Sequence, residues 1–396
     1  MKLPPSDWKE RRGLAALIAA LDGQARFVGG AVRDSLLGVA VKDVDIATPL
    51  LPDDVIKRLE AATIKVIPTG IDHGTVTAIL PDGPVEITTL RRDVSTDGRR
   101  ATVAFSDDWR EDAARRDFTI NALFADPETM EIFDYFGGLD DLKQRRIRFI
   151  GSAAERIAED HLRIMRYFRF LARFGQDELE TEAFQACVAA APKLRQLSRE
   201  RIADELLKLL ATDDPRLAIG KMLDGKIFDH IVAETDDKAA PILDRLVPRE
   251  QAHSIAPSAV RRLVALLPKD SETQGTIAKS LKLSKKMQRA IVERSAGHGA
   301  TNIRALAYRT GVEAARDIAL LFADDDALPE MLDDLENWQP PVFPLTGGDL
   351  IKRGLKPGPV VTRTLATIER AWIDHDFPDE NWVIEFADGL DFSGRT

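Results

Sequence analysis

Phe27-Val-Gly-Gly-Ala-Val-Arg33-Asp-Ser-Leu-Leu-Gly38 runs directly into Val39-Ala-Val-Lys-Asp43-Val-Asp45-Ile46 in this chain of 396 residues. The first stretch reads as a strand turning into a helix through Gly29 and Gly30, with Arg33 one turn later. Glycine has no Cβ, so the backbone there can approach a phosphate closely and take dihedrals closed to other residues. Amides at the start of a helix favour an anion, and a guanidinium can clamp a phosphate oxygen. In the second stretch an extended backbone alternates its side chains, so Asp43 and Asp45 share one face while Val44 and Ile46 enter the core. Paired carboxylates on one face suit a hard, oxygen-loving cation such as Mg²⁺ when a triphosphate supplies its other ligands. Each piece has an ordinary alternative, a plain Gly-Gly turn and a solvated Asx turn. In this order, with Arg33 between them, they are the parts of a metal-assisted phosphoryl-transfer site.

These residues resemble the catalytic motif of the tRNA nucleotidyltransferase and poly(A) polymerase family, the bacterial and eukaryotic type within the polymerase β superfamily. Its members add nucleotides to RNA 3′ ends without a nucleic-acid template. Val85-Glu86-Ile87-Thr88-Thr89-Leu90-Arg91 reads as a further strand with Glu86 on the face opposite Val85 and Ile87. A third carboxylate beside Asp43 and Asp45 would raise local negative charge that a bound cation makes tolerable; an exposed strand glutamate is the plain alternative. The resemblance makes Glu86 the third carboxylate, and in Arg115-Arg116-Asp117-Phe118-Thr119-Ile120-Asn121-Ala122 it makes Arg116 a nucleotide contact. Asp134-Tyr-Phe-Gly-Gly-Leu-Asp-Asp-Leu142 is similar to the hinge-like segment that follows the family's catalytic head.

Glu159-Asp160-His-Leu-Arg163-Ile-Met-Arg166-Tyr-Phe-Arg169-Phe resembles the family's base-reading helix, in which an aspartate and an arginine three residues on replace a template. Residues three apart are neighbours on a helix, so Asp160 and Arg163 can present an acceptor and a donor side by side. Cytosine and adenine carry an exocyclic amine where the carboxylate would reach, and uracil and guanine carry a carbonyl oxygen there. The pair would admit CTP and ATP and reject UTP and GTP. Arg166 and Arg169 continue the spacing and match family arginines near the nucleotide, although steps of three drift around a helix. The alternative is an ordinary helix with surface ion pairs.

A net charge of −10 speaks at first against an RNA partner. Phosphate attraction is local within a Debye length, however, and residues 143–173 carry nine Lys or Arg against three Asp or Glu. An RNA end and a triphosphate could both be held there. Hydrophobic residues make up 44% of the chain, yet no apolar run approaches the ~20 residues needed to cross a bilayer. Met1-Lys-Leu-Pro-Pro lacks the apolar segment of a signal peptide, so a cytoplasmic protein is expected, with no membrane partner and no obligatory protein partner. The single cysteine, Cys187, sits in an apolar helical run and reads as packing, and six scattered histidines make a zinc role unfavourable.

The expected architecture is an α+β nucleotidyltransferase head, a mixed sheet of about five strands with helices on one side, followed by an all-α neck, body and tail. The boundaries expected are an N-terminal helix within 1–25 (an amphipathic helix over 8–22), the head over 26–142, the neck with base recognition over 143–210, the body over 211–338 and the tail over 339–396. Extended runs are read at 25–28, 41–47, 76–80 and 85–90. Ser198 is expected to cap the helix that follows it, which in the family supports the neck. Pro340, Pro341, Pro344, Gly347 and Gly348 mark a break, and the segment Leu345 to Pro359 resembles the family's tail, with Thr362 where a glycine is usual.

Thr69-Gly-Ile-Asp-His73-Gly-Thr-Val-Thr77 is similar to a segment of CCA-adding members. Arg91-Arg-Asp93-Val-Ser-Thr-Asp97-Gly98-Arg99-Arg100 resembles the flexible loop with which they switch from CTP to ATP, or is an ordinary surface loop. The resemblance therefore implies an enzyme that builds or repairs the 3′ CCA end of tRNA with two Mg²⁺ ions held by Asp43 and Asp45. A poly(A) polymerase or an A-adding enzyme would use the same site. An idle RNA-binding protein would not need the three carboxylates, and a small-molecule nucleotidyltransferase would not need the long helical remainder.

Overall fold

Val44 and Ile46, with Val85 and Ile87, turn into the core and are at most 1% exposed, so two half-apolar segments become adjacent central strands of the head. This computed structural model describes residues 1–95, 102–176, 180–232, 239–297, 299 and 302–390. The chain divides into two compact units, Met1–Ala233 and Glu234–Thr396.

The first unit contains β1 (Arg26–Val28), β2 (Val44–Thr48), β3 (Lys65–Gly70), β4 (Thr75–Leu80), β5 (Gly83–Thr89), β6 (Arg91–Ser95), β7 (Thr102–Phe105), β8 (Leu123–Ala125) and β9 (Ile132–Asp134). Seven of them form one sheet in the order β3-β4-β5-β2-β1-β8-β9, and β6 and β7 pair separately. The β2–β5 pair is parallel and its neighbours are antiparallel, so the sheet is mixed as expected. It is wider than the expected five strands. β8 and β9 are three residues long, too short to show alternation, and β3 is an edge strand, mostly exposed, with Pro68 in it.

The helices of this unit are α1 (Leu14–Ala20), α2 (Gly30–Leu36), α3 (Pro52–Ala61), α4 (Trp109–Ala114), α5 (Gly138–Lys143), α6 (Ala153–Glu159), α7 (Arg163–Phe174), α8 (Thr181–Ala190), α9 (Arg199–Leu210) and α10 (Arg216–Asp224). α2 packs on β1, β2 and β8, and α3 on β3 and β4. Residues 8–22 are not one helix. A 3-10 turn over Asp7–Glu10 precedes α1, and Gly13, in the left-handed region at φ 88°, separates them. Trp8, Leu14 and Leu17 are nevertheless buried, as the amphipathic reading required. Ser198 caps α9, its hydroxyl accepting from the Arg201 N–H. Cys187 is buried in α8, where burial pushes its thiol up from the ordinary value, consistent with packing.

The second unit is helical: α11 (Ala239–Ala252), α12 (Ala259–Leu266), α13 (Ser271–Ser280), α14 (Lys285–Ala296), α15 (Ile303–Thr310), α16 (Val312–Phe322), α17 (Leu328–Glu336), α18 (Gly347–Lys352), α19 (Pro359–Asp374) and α20 (Glu380–Asp388). Of the residues read as a break, Pro340, Pro341 and Pro344 fall in an irregular stretch between α17 and α18, whereas Gly347 and Gly348 open α18. Among the described residues no helix is long and apolar enough to cross a membrane. Of the segment read as a loop at 91–100, Arg91–Ser95 form β6 and residues 96–100 lie outside the described residues, which resume at Thr102.

Candidate active site

In the parallel pair of β2 and β5, Asp45 stands opposite Glu86, so strand register brings together two carboxylates 41 positions apart in the chain. Burial first, then the charges of Glu86 and Asp43, push the Asp45 carboxyl up to about 6 against the opposing charge of Arg116. Asp43 is exposed and lies just before β2 begins, not within it. The strand alternation expected to put it on one face with Asp45 therefore does not extend to it, although its charge is felt at Asp45.

Gly29 joins β1 to α2 at φ 66° and ψ −118°, a conformation that L side chains rarely adopt. A Cβ there would stand 3.5 Å from Arg116 Nη1 and 3.6 Å from the Asn121 carbonyl oxygen, ordinary contact distances, so it is the backbone conformation and not lack of space that calls for glycine. Arg33 is 5% exposed. Its Nε donates to Asp34 Oδ1 at 2.8 Å, its Nη1 donates to Asn121 Oδ1, and Phe170 and Phe174 flank the guanidinium at 5.2 and 4.6 Å. This arginine ties α2 to the following elements as well as facing the site.

A cavity of about 470 Å³ gathers these parts: Gly29, Gly30, Arg33, Asp45 and Arg116 on one side, and Asp160, Arg163 and Arg166 on the other. Asp43 and Glu86 are exposed and are not part of its wall. Arg169 is not in the wall either; it donates to Glu205 Oε2 of α9 at 2.6 Å, the consequence of the drift of three-residue steps.

Asp160 and Arg163 do share the cavity, but not as neighbours on one helix. Asp160 follows the last residue of α6 with extended backbone, φ −149° and ψ 106°, and α7 starts at Arg163. Asp160 favours a turn because its carboxylate can bond nearby amides: Oδ1 accepts from the Leu162 N–H at 3.0 Å, and its carbonyl accepts from the Arg163 N–H at 2.9 Å. Its Oδ2 accepts from Arg201 Nη2 at 2.7 Å, while Arg163 pairs with Glu159 and donates to the Arg156 carbonyl.

Several residues of the wall carried no role in the sequence reading. Asp117 accepts from the Phe118 N–H at 2.9 Å, from Asn121 Nδ2 at 2.9 Å and from Arg166 Nε at 2.7 Å. Burial works to raise its carboxyl, but the Arg166 charge and these hydrogen bonds outweigh it and hold the group below the usual range. Asn121 thereby links Arg33 of α2 to Asp117, and Asp117 links onward to Arg166 of α7. Both lie inside the quoted Arg115 to Ala122 motif, where spacing could have nominated them. Phe170 closes the quoted Glu159 to Phe170 stretch in the same way, whereas Arg201 gave no such signal.

Among the described residues no group of three or more His, Cys, Asp or Glu is placed to hold a metal ion by itself. The carboxylates still fit a cation that shares its ligands with a triphosphate: they are few, they are hard oxygen donors, and their mutual repulsion already shows in the raised Asp45 carboxyl.

A Gly-Gly turn and the strand-borne Asp45 in one cavity wall, with Glu86 opposite Asp45 on the next strand, are the parts of a nucleotidyltransferase head. Residues 25–148 match the family model described as "Poly A polymerase head domain", and residues 178–238 match "Probable RNA and SrmB- binding site of polymerase A". The chain is 34% identical over 403 residues to the CCA-adding enzyme of Streptococcus pneumoniae (strain ATCC BAA-255 / R6), covering 96% of each. It is 34% identical over 382 residues to the mitochondrial CCA tRNA nucleotidyltransferase 1 of Danio rerio, covering 91% of this chain and 86% of that one. The crystal structure of the Bacillus stearothermophilus CCA-adding enzyme in complex with CTP superposes with a TM-score of 0.75 at 28% identity, covering 94% of this chain and 96% of that one. This chain belongs to the tRNA nucleotidyltransferase and poly(A) polymerase family and is most similar, among these, to CCA-adding enzymes.

Proposed function

We propose that this chain is a cytoplasmic CCA tRNA nucleotidyltransferase, which adds or repairs the 3′-terminal CCA of tRNA from CTP and ATP without a template. One observation carries the reading: a single cavity holds both the Gly29, Asp45 and Arg116 side of a phosphoryl-transfer site and the Asp160 and Arg163 pair suited to reading a base. Full-length similarity to CCA-adding enzymes supports it over tailing enzymes.

In this reading Gly29 and Gly30 let the triphosphate approach the backbone, Arg33 and Arg116 seat its phosphates, and Asp45 with Asp43 would hold two Mg²⁺ ions beside Glu86. When bound, such ions lower the pKa of the RNA 3′ hydroxyl and neutralise charge on the pyrophosphate leaving group. The 3′ oxygen attacks the α-phosphorus, and the bond to pyrophosphate breaks. Asp160 accepts from the exocyclic amine of cytosine or adenine, and Arg163 donates to a ring nitrogen or carbonyl oxygen. Arg166 and Arg169 brace that reader through Asp117 and Glu205. The helical tail over 339–396 holds the body of the tRNA.

Asp160→Ala should relax base choice. UTP incorporation relative to CTP should rise by roughly tenfold to a hundredfold, the value of a buried hydrogen bond that the wrong base cannot make. Single-nucleotide incorporation rates measure it, and unchanged exclusion of UTP would remove Asp160 from base reading.

The function itself is tested with tRNA transcripts lacking all of the terminal CCA, lacking only the final A, or complete, given Mg²⁺ and each nucleotide singly or CTP with ATP. Addition of C, C and A followed by arrest is the expected product. Addition of a lone A, only to the CC-ended transcript, would mean an A-adding enzyme, and a ladder of A on any end a poly(A) polymerase.

A further inference from the structure

Of the two acids in α4, Glu111 is exposed and Asp112 is sealed at 1% exposure. Asp112 Oδ1 accepts from Arg115 Nε at 2.9 Å and from the Arg91 N–H, the first residue of β6, at 3.3 Å. Its Oδ2 accepts from Arg116 Nε at 3.2 Å and from Arg116 Nη2 at 3.0 Å. Those donors fill the roughly four acceptor positions of a carboxylate, so Asp112 has none left for a substrate. One negative charge faces two guanidinium groups, and Arg115 and Arg116 both line the cavity with a net positive charge to spare.

The geometry fixes more than charge. With its Nε and Nη2 edge held by Asp112, Arg116 extends Nη1 toward the Gly29 turn, 3.5 Å from where a Cβ on that glycine would stand. The Phe124 ring backs the guanidinium at 5.3 Å, and the charge of Arg116 reaches Asp45. Burial works to raise the Asp112 carboxyl, but Arg116 and Arg115 outweigh it and hold the group below the usual range.

We propose that Asp112 is a positioning residue of the nucleotide site, aiming Arg115 and Arg116 at the triphosphate and anchoring the start of the β6–β7 hairpin to the same carboxylate. The proposal rests on the reading that this cavity takes a nucleoside triphosphate. Asp112 acts through the arginines, so its loss should weaken the hold on CTP and ATP alike and leave the choice of base untouched.

The test is steady-state kinetics of the full-length wild type, D112N, D112E, R116A and D112N/R116A, with CTP varied on a transcript lacking CCA and ATP varied on one lacking the final A. D112N should raise KM for both nucleotides by the same factor, about tenfold, with a smaller change in kcat and unchanged exclusion of UTP. On the R116A background D112N should add less than about twofold, because most of the interaction it breaks is already gone. D112E keeps the charge but moves it by a methylene group, and it too should raise KM; this variant carries the test if D112N does not fold. Wild-type KM in folded D112N or D112E, or an undiminished D112N effect on the R116A background, would overturn the proposal. A wild type that adds no nucleotide at all would overturn the functional reading and this proposal together, whereas wild-type addition with additive variants overturns this proposal alone.

Discussion

Asp45→Asn should abolish addition of both C and A, by roughly a thousandfold or more in turnover, since it removes a carboxylate assigned to charge stabilisation worth several kcal/mol. The same substitution should leave tRNA affinity nearly unchanged, because the body of the tRNA is proposed to be held by the tail over 339–396, and it should stabilise the metal-free protein. The Asp45 carboxyl is raised from 3.8 to about 6 by burial, then by Glu86 and Asp43 against Arg116. A carboxyl with a raised folded-state pKa binds more protons in the native than in the unfolded chain between those two values. Stability of the metal-free wild type therefore falls as pH rises through that window, and at pH 7 the ionised group withholds about 1 to 3 kcal/mol, the lower end allowing for partial exposure. Asn at this position carries no such charge. Melting curves at pH 4, 6 and 8, in EDTA and in Mg²⁺, should show D45N above the wild type at pH 8 in EDTA and the gap closing at pH 4. Mg²⁺ should raise the wild type and not the variant. Retained turnover would contradict the catalytic role, and a D45N melting temperature below the wild type at pH 8 in EDTA would contradict the buried-charge account.

The carboxylate side of this site was legible because strand periodicity is short-ranged and unambiguous. Val44 and Ile46 had to point inward, which left Asp45 outward, and the same logic placed Glu86; the sheet register then brought them opposite each other. The side proposed to read the base was legible in composition but not in geometry. The expected helix breaks at Asp160 because an aspartate that can accept from the amide two residues on stabilises a turn there, and helical spacing carries no warning of that competition. Arg201 was missed for a different reason. It reaches Asp160 from 41 positions away, and such a pairing is decided by how α9 packs against α7, which no local pattern encodes. The strands at 123–125 and 132–134 were missed because three residues hold too little alternation to separate from a loop.

Asp317→Ala should destabilise the second unit by about 3 to 5 kcal/mol, the range expected when one partner of a buried ion pair is removed. Asp317 in α16 is 2% exposed and accepts from Arg261 Nη1 at 2.5 Å and from Arg294 Nε at 2.6 Å. Arg261 also donates to Glu250 Oε1 at 2.7 Å, and Arg262 donates to Glu250 Oε2 at 2.9 Å, so α11, α12, α14 and α16 meet on one charged network. Without Asp317, Arg261 keeps Glu250 and the Ala256 carbonyl, but Arg294 loses its buried carboxylate and retains the Ala290 carbonyl and exposed Glu313 at 3.7 Å. Desolvated charge then stands uncompensated, a cost that the surface pair of Lys208 and Asp204, each more than half exposed, never incurs. Amide hydrogen exchange in α12 and α16 is the appropriate reading, because it reports opening of this unit by itself. Exchange there should accelerate by roughly two to four orders of magnitude in D317A. Equal protection in D317A and the wild type would show that the four helices are held by their apolar faces and that the network adds only specificity of pairing. The alternative is weighted by the sequence itself: three arginines and two acids at core positions would be poor choices for a unit held by apolar burial alone, and they are paired because each carboxylate bridges two arginines, with Arg261 shared between them.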